Sequence, residues 1–180
     1  MKRKVWLIRH GSTKGNLESR YVGTVDEDLD ERGILALNEL REKVSYPKTD
    51  MVYVSFMKRC RHTAKILFPV ALQVVVEGMH ECDFGEFEYK SYNDLNGYPL
   101  YQDWVDSGGT KGFPGGETME VFQDRVCRAF ETIMNLEEKD YLSENDIVLV
   151  CHGGCIMAIL DRYSSPHKDY FDWQAPNGLG

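Results

Sequence analysis

The chain has 180 residues, 42% of them hydrophobic and 28% charged, which suits one globular domain with a sizeable core. Its net charge of -8 comes without a basic stripe, which argues against a nucleic-acid partner and offers an anion no long-range attraction. No apolar run is long enough to span a bilayer, and the four apolar residues before Arg9 are too few for a signal-peptide core. We therefore expect a cytoplasmic protein without a membrane partner. Its five cysteines, an odd number with no export signal, are expected as free thiols.

In chain order, residues 5–8 read as a short buried strand. Residues 33–44 read as a helix with Ile34, Leu37, Leu40 and Val44 near one face. A second strand at 51–54 leads into a helix that runs to about Leu67, and a third strand follows at 73–76. The clearest helix covers 117–136, where Met119, Phe122, Val126, Ala129, Phe130 and Ile133 keep helical spacing. Pro114-Gly115-Gly116 marks its upstream boundary. A fourth strand at 147–150 and a helix at 156–163 complete the pattern. Short apolar strands alternating with helices predict an α/β fold, a three-layer sandwich with a mostly parallel central sheet flanked by helices. One domain is expected over 1–180, with residues about 82–116 as a small cap.

In such folds ligands sit at the carboxyl ends of the strands. Three strands here end in reactive side chains: Arg9-His10-Gly11, Ser55 to Arg59, and Cys151-His152-Gly153-Gly154. Glycine after each histidine allows a sharp turn and close approach of a ligand. Arg9 and Arg59 are forked donors suited to phosphate oxygens. A neutral histidine is a nucleophile near pH 7, and a carboxylic acid is then needed to protonate the leaving oxygen. Pattern alone suggests an anion site and leaves open which carboxylate serves.

Longer stretches are more specific. Leu7-Ile8-Arg9-His10-Gly11-Ser12-Thr13 with Asn16 and Tyr21-Val22-Gly23 resembles the opening signature of the histidine phosphatase (phosphoglycerate mutase-like) family. Ser55 to Ala64 resembles its Ser-x-x-x-Arg-Ala-x-x-Thr-Ala stretch, and Glu81 to Glu88 its Glu-x-x-Phe-Gly-x-aromatic-Glu stretch. Gly115-Gly116-Glu117-Thr118 is similar to its Gly-Gly-Glu-Ser/Thr helix start, and Cys151 to Gly154 to its second histidine motif. The five blocks keep the family's order.

The resemblance implies a phosphoglycerate mutase-like fold and a metal-independent, cofactor-free phosphomonoesterase acting on a small-molecule phosphate ester. By it His10 is the nucleophile, and Arg9, Arg59 and His152 hold the phosphoryl oxygens. Glu81 is the acid, with Asp83, Glu86 and Glu88 as rivals, and Arg61 is a neighbouring decoy for Arg59. Gly11, Ser12, Asn16, Gly23 and Gly153 are expected at the substrate. His62, His80 and His167 are expected on the surface or in packing. Phe56, Cys60 and Tyr89 depart from the family pattern without removing a catalytic group. The chain reaches Gly180 where relatives commonly continue into a last strand. A zinc reading of the Cys-His pairs is set aside because their spacing is irregular.

Seven aromatics between 84 and 104 suggest a wall for a flat leaving group or the packing of a small cap. Together with size and the Trp6 to Gly11 pattern they resemble the alpha-ribazole phosphatase branch. A broad-specificity phosphatase, a cofactor-dependent mutase and a non-catalytic phospholigand-binding protein are the alternatives. The expected assembly is a monomer or homodimer.

Overall fold

The structure, a computed structural model, describes residues 3–139 and 145–178. Strands β1 (Val5–Arg9), β2 (Met51–Val54), β3 (Leu72–Val75) and β4 (Ile147–Cys151) form one sheet in the order β1-β4-β2-β3. Every pairing is parallel, with Val5 opposite Ile147, Arg9 opposite Cys151, and Tyr53 opposite Leu149.

Alternation along the strands sorts their side chains into two cores. Ile8, Val52, Val54, Val148 and Val150 face α2 (Glu31–Lys43) and α3 (Lys58–Leu67), packing on Leu37, Cys60, Ala64 and Leu67. Tyr53, Ile147, Leu149 and Cys151 face α6 (Met119–Glu138) and α7 (Gly153–Tyr163), packing on Val126, Phe130, Ile156 and Ile159. Both faces of β4 are buried, which is why it reads as an unbroken apolar run. Parallel strands place all four carboxyl ends along one edge, so Arg9, Ser55 and His152 come together from distant sequence.

Between β3 and α6 lie a short 3-10 turn (Gly85–Phe87), α4 (Tyr92–Leu95) and α5 (Pro99–Asp106). Their buried Phe87, Leu95 and Tyr101 join the α6/α7 core rather than forming one of their own. α1 (Lys14–Leu17) is a single turn after the first histidine motif. Among the described residues no helix is long and apolar enough to cross a membrane.

Several boundaries differ from the sequence reading for identifiable reasons. α2 starts two residues early because the Asp30 side chain accepts from the Gly33 amide and caps it. α6 starts after Thr118, whose hydroxyl accepts from the Val121 amide. α7 begins at Gly153, not 156, although two opening glycines argue against a helix. Room explains the second glycine: a Cβ on Gly154 would lie 2.3 Å from Glu81 Oε1.

Candidate active site

β1 ends at Arg9, on the same face as Leu7, so its side chain points to the α6/α7 side of the sheet. The His10 amide continues the ladder one step, donating to the Cys151 carbonyl at 3.0 Å. The chain then turns at Gly11, where a Cβ would meet Leu37 Cδ1 at 2.6 Å. His10 is buried, and its Nδ1 lies 2.7 Å from the Gly11 carbonyl. A carbonyl only accepts, so Nδ1 carries the proton and Nε2 keeps the lone pair. Burial pushes the His10 pKa down to about 3, helped by Arg59 and Arg9 and opposed by the Gly11 carbonyl. The ring is neutral at pH 7.

His152 lies edge-on to His10, ring centroids 5.2 Å apart. Arg59 Nε donates to His152 Nδ1 at 3.3 Å, so the proton is on Nε2, which donates to Ser55 Oγ at 2.9 Å. Burial, then Arg59, holds the His152 pKa well below the usual histidine range.

Arg59 is fully buried on the first turn of α3. Its guanidinium donates to the carbonyls of Val25 at 2.8 Å, Gly23 at 2.9 Å and Val22 at 3.3 Å. Arg9 donates through Nη1 to the Ala175 carbonyl at 3.0 Å, and its buried Nε has no partner. Among the described residues neither arginine is ion-paired with a carboxylate. Two cations held by neutral carbonyls beside two neutral imidazoles make a local positive field in an acidic protein.

Glu81 sits opposite, on an irregular segment after β3. Its carboxylate accepts from the amides of Cys82 at 3.0 Å and Gly154 at 3.2 Å. Burial raises its pKa above the ordinary value, against those amides and the charges of Arg59 and Arg9. The three rivals are occupied elsewhere. Asp83 accepts from the Gly85 amide, Glu86 from the Tyr98 hydroxyl, and Glu88 from the amides of Gly23 and Val25. Arg61 lies on the outward side of α3, beside a surface groove with His62 and Lys65.

Of the five remaining site residues, only Gly153 lies at the cavity where it was expected. The Gly11 amide is not open to an anion: it donates to Thr63 Oγ1 at 2.9 Å. The Gly23 amide goes to Glu88 at 2.8 Å, while its carbonyl holds Arg59. Asn16 closes a capping box with Thr13, its Oδ1 accepting from the Thr13 amide at 3.2 Å. Ser12 Oγ makes a long 3.4 Å bond to the Thr13 carbonyl. Gly153 alone of this group lines the cavity, at the first turn of α7, where amides lack intrahelical partners.

That cavity, of about 330 Å³, is bounded by Arg9, Glu81, Gly153 and Gly154 at one end. Tyr21, Phe84, Trp104, Phe113 and Phe122 line its walls, with Tyr170 and Phe171 from the C-terminal segment. Only Phe84 and Trp104 of the seven clustered aromatics reach it. Phe87 and Tyr101 pack behind the wall, and Tyr92 is exposed. Sequence reasoning missed Ser55, Thr63 and Gly154, and the C-terminal residues 170–175. Ser55, Thr63 and Gly154 all stood inside recognised stretches without being assigned a role; residues 170–175 leave no local signal. Among the described residues no three His, Cys, Asp or Glu side chains cluster so as to hold a metal ion.

The model of the histidine phosphatase superfamily (branch 1) matches residues 5–178. The chain belongs to the histidine phosphatase superfamily. It is 26% identical over 164 residues to the adenosylcobalamin/alpha-ribazole phosphatase of Escherichia coli (strain K12), covering 88% of this chain and 78% of that protein. It is 25% identical over 211 residues to the 2,3-bisphosphoglycerate-dependent phosphoglycerate mutase of Blochmanniella floridana, covering 98% and 90%. Its fold matches the crystal structure of the alpha-ribazole phosphatase from Shigella flexneri with a TM-score of 0.81 at 26% identity, over 97% of this chain and 86% of that one. The superfamily's fold and phosphatase class therefore hold for this chain.

Proposed function

We propose that the protein hydrolyses phosphate monoesters of small molecules through a phosphohistidine on His10. The observation that carries this is the fixed tautomer of a neutral His10, its Nδ1 on the Gly11 carbonyl, beside Arg9, Arg59 and His152. Nε2 attacks phosphorus as the bond to the leaving oxygen breaks, and the Glu81 proton passes to that oxygen. The proton stays on Nδ1, hydrogen-bonded to the Gly11 carbonyl, which stabilises the positive charge the ring acquires. Water then attacks phosphorus and gives its proton to Glu81 as the bond to Nε2 breaks. Inorganic phosphate leaves, and neutral His10 and protonated Glu81 return. Arg9 and Arg59 neutralise the equatorial oxygens in both steps.

The aromatic cavity supports a flat leaving group, and alpha-ribazole 5'-phosphate of cobalamin biosynthesis is our leading substrate. The alpha-ribazole phosphatases among the relatives lend weight to that choice. Mutase chemistry is the second reading, favoured by the mutase relative. Phosphate release from alpha-ribazole 5'-phosphate, 3-phosphoglycerate and an aryl phosphate, with chelator present, tests the proposal. Preference for the ribazole ester, lost in His10→Ala, is expected. Conversion of 3-phosphoglycerate to its isomer without phosphate release would favour the mutase.

A further inference from the structure

The general acid sits on a segment with no regular structure. Between the end of β3 and the 3-10 turn at Gly85, residues 76–84 belong to no helix or strand. The Glu81 side chain nonetheless reaches the Gly154 amide and lines the cavity with Arg9, so something must fix the backbone that carries it.

Arg125 and Glu117 do so from both sides. Arg125 lies on α6, and all five of its guanidinium N–H groups are engaged. Two form a bidentate pair with Glu117: Nε to Oε1 at 2.9 Å and Nη2 to Oε2 at 2.7 Å. The other three donate to the carbonyls of Gly78 at 2.9 Å, His80 at 3.0 Å and Glu81 at 3.3 Å. Glu117 Oε2 also accepts from the Asp83 amide at 3.0 Å. One ion pair thus holds the backbone before, at and after Glu81. Its side chains are only 19% and 17% exposed, so solvent screens the pair less than a surface bridge.

We infer that Arg125, oriented by Glu117, is a positioning residue for the general acid Glu81, setting where its carboxyl meets the leaving oxygen. This rests on the phosphatase reading above. Neither residue lines the cavity, so neither is offered as touching substrate.

The test exploits what a general acid does. A weakly basic leaving group such as 4-nitrophenolate departs without a proton, while an alkoxide requires one. The quantity is kcat/KM, which reports steps only as far as departure of the alcohol. Arg125→Met, which keeps bulk and loses every donor, should lower kcat/KM for glycerol phosphate by about 100-fold. For 4-nitrophenyl phosphate the loss should stay within about 5-fold, because proton donation then contributes little. Glu117→Gln, which weakens the pair with almost no change of shape, should show the same split and serves if Arg125→Met does not fold.

Glu81→Gln should reproduce the signature, and the double variant Glu81→Gln/Arg125→Met should be no worse than Glu81→Gln alone. Equal losses on the two esters, or full additivity in the double variant, would overturn the inference and leave Arg125 as structural support. Failure of the phosphatase reading looks different: wild-type protein would release phosphate from neither ester, or His10→Ala would retain turnover.

Discussion

Adjacent glycines at the start of α7 should respond to alanine in opposite ways. A Cβ on Gly153 lies 3.4 Å from Arg9 Nε, an ordinary contact. A Cβ on Gly154 lies 2.3 Å from Glu81 Oε1 and 3.0 Å from Phe122 Cζ. To restore normal contact the carboxylate must retreat by about 1 Å, and it then loses the Gly154 amide as donor. A hydrogen bond to a charged acceptor contributes about 1.5–3 kcal/mol, and a misplacement of about 1 Å at a reacting group costs roughly 100-fold in rate. Alanine is worth about 1 kcal/mol over glycine inside a helix, which offsets the crowding of Phe122. Gly153→Ala should therefore match wild type in activity with an equal or higher melting temperature. Gly154→Ala should fold within a few degrees of wild type and lose about 100-fold in kcat/KM for an alkyl phosphate. Thermal melts and steady-state kinetics on the two variants check this. Full activity in Gly154→Ala would refute the placement of Glu81 against α7.

The pH dependence follows from the buried groups. His10 must be neutral and its pKa is depressed to about 3, while Glu81 must be protonated and its pKa is raised. With Arg9 and Arg59 acting on both groups and His152 edge-on to His10, the kcat/KM profile should be bell-shaped, highest on the acid side of neutral and falling as Glu81 ionises; a flat profile from pH 5 to 9, with chemistry limiting, would count against the pair. For stability, depressed histidine pKa values mean that the unfolded chain binds more protons below its ordinary value of about 6.5. The melting temperature should therefore fall as pH drops from about 6.5 toward about 4, and should fall less in His10→Gln. Glu88 accepts from the amides of Gly23 and Val25, whose carbonyls hold Arg59. Glu88→Ala should weaken inorganic phosphate binding about 10-fold by calorimetry, the equivalent of about 1.4 kcal/mol. Trp104 lines the cavity with its indole N–H buried and unpartnered. Trp104→Ala should raise KM for an aryl phosphate by about 10-fold and leave glycerol phosphate nearly unchanged, because only the aryl group loses an aromatic contact.

What was legible in the sequence had a regular physical signature. Four short apolar strands alternating with amphipathic helices specify a parallel sheet, and a parallel sheet gathers its strand ends at one edge. His10 and His152 were therefore readable as neighbours although 142 residues separate them. Glycine was ambiguous. Gly11 and Gly23 suggested close approach of a ligand, but Leu37 and the Cys82 carbonyl occupy that space, and a Cβ on Gly23 would meet the latter at 2.0 Å. Glu117 and Thr63 of the supporting shell stood in recognised stretches, but their partners were not legible because the shell works through backbone bonds across long separations. Arg125 reaches the Gly78 carbonyl 47 residues away, and Arg9 reaches the Ala175 carbonyl 166 residues away. The aromatic wall was half legible: composition marked residues 84–104, but alternation within irregular chain could not say which rings face the cavity. Tyr21, Phe113 and Phe122 came from outside the cluster.

The central claim is a covalent phosphoryl group on Nε2 of His10. The most direct measurement mixes enzyme with a radiolabelled aryl phosphate, quenches within the first turnover, and maps the label by peptide. The account predicts acid-labile, alkali-stable label on the peptide containing His10, none in His10→Ala, and decay of the label at the rate of phosphate release. Phosphate release by a fully active enzyme with no label at His10 would contradict it.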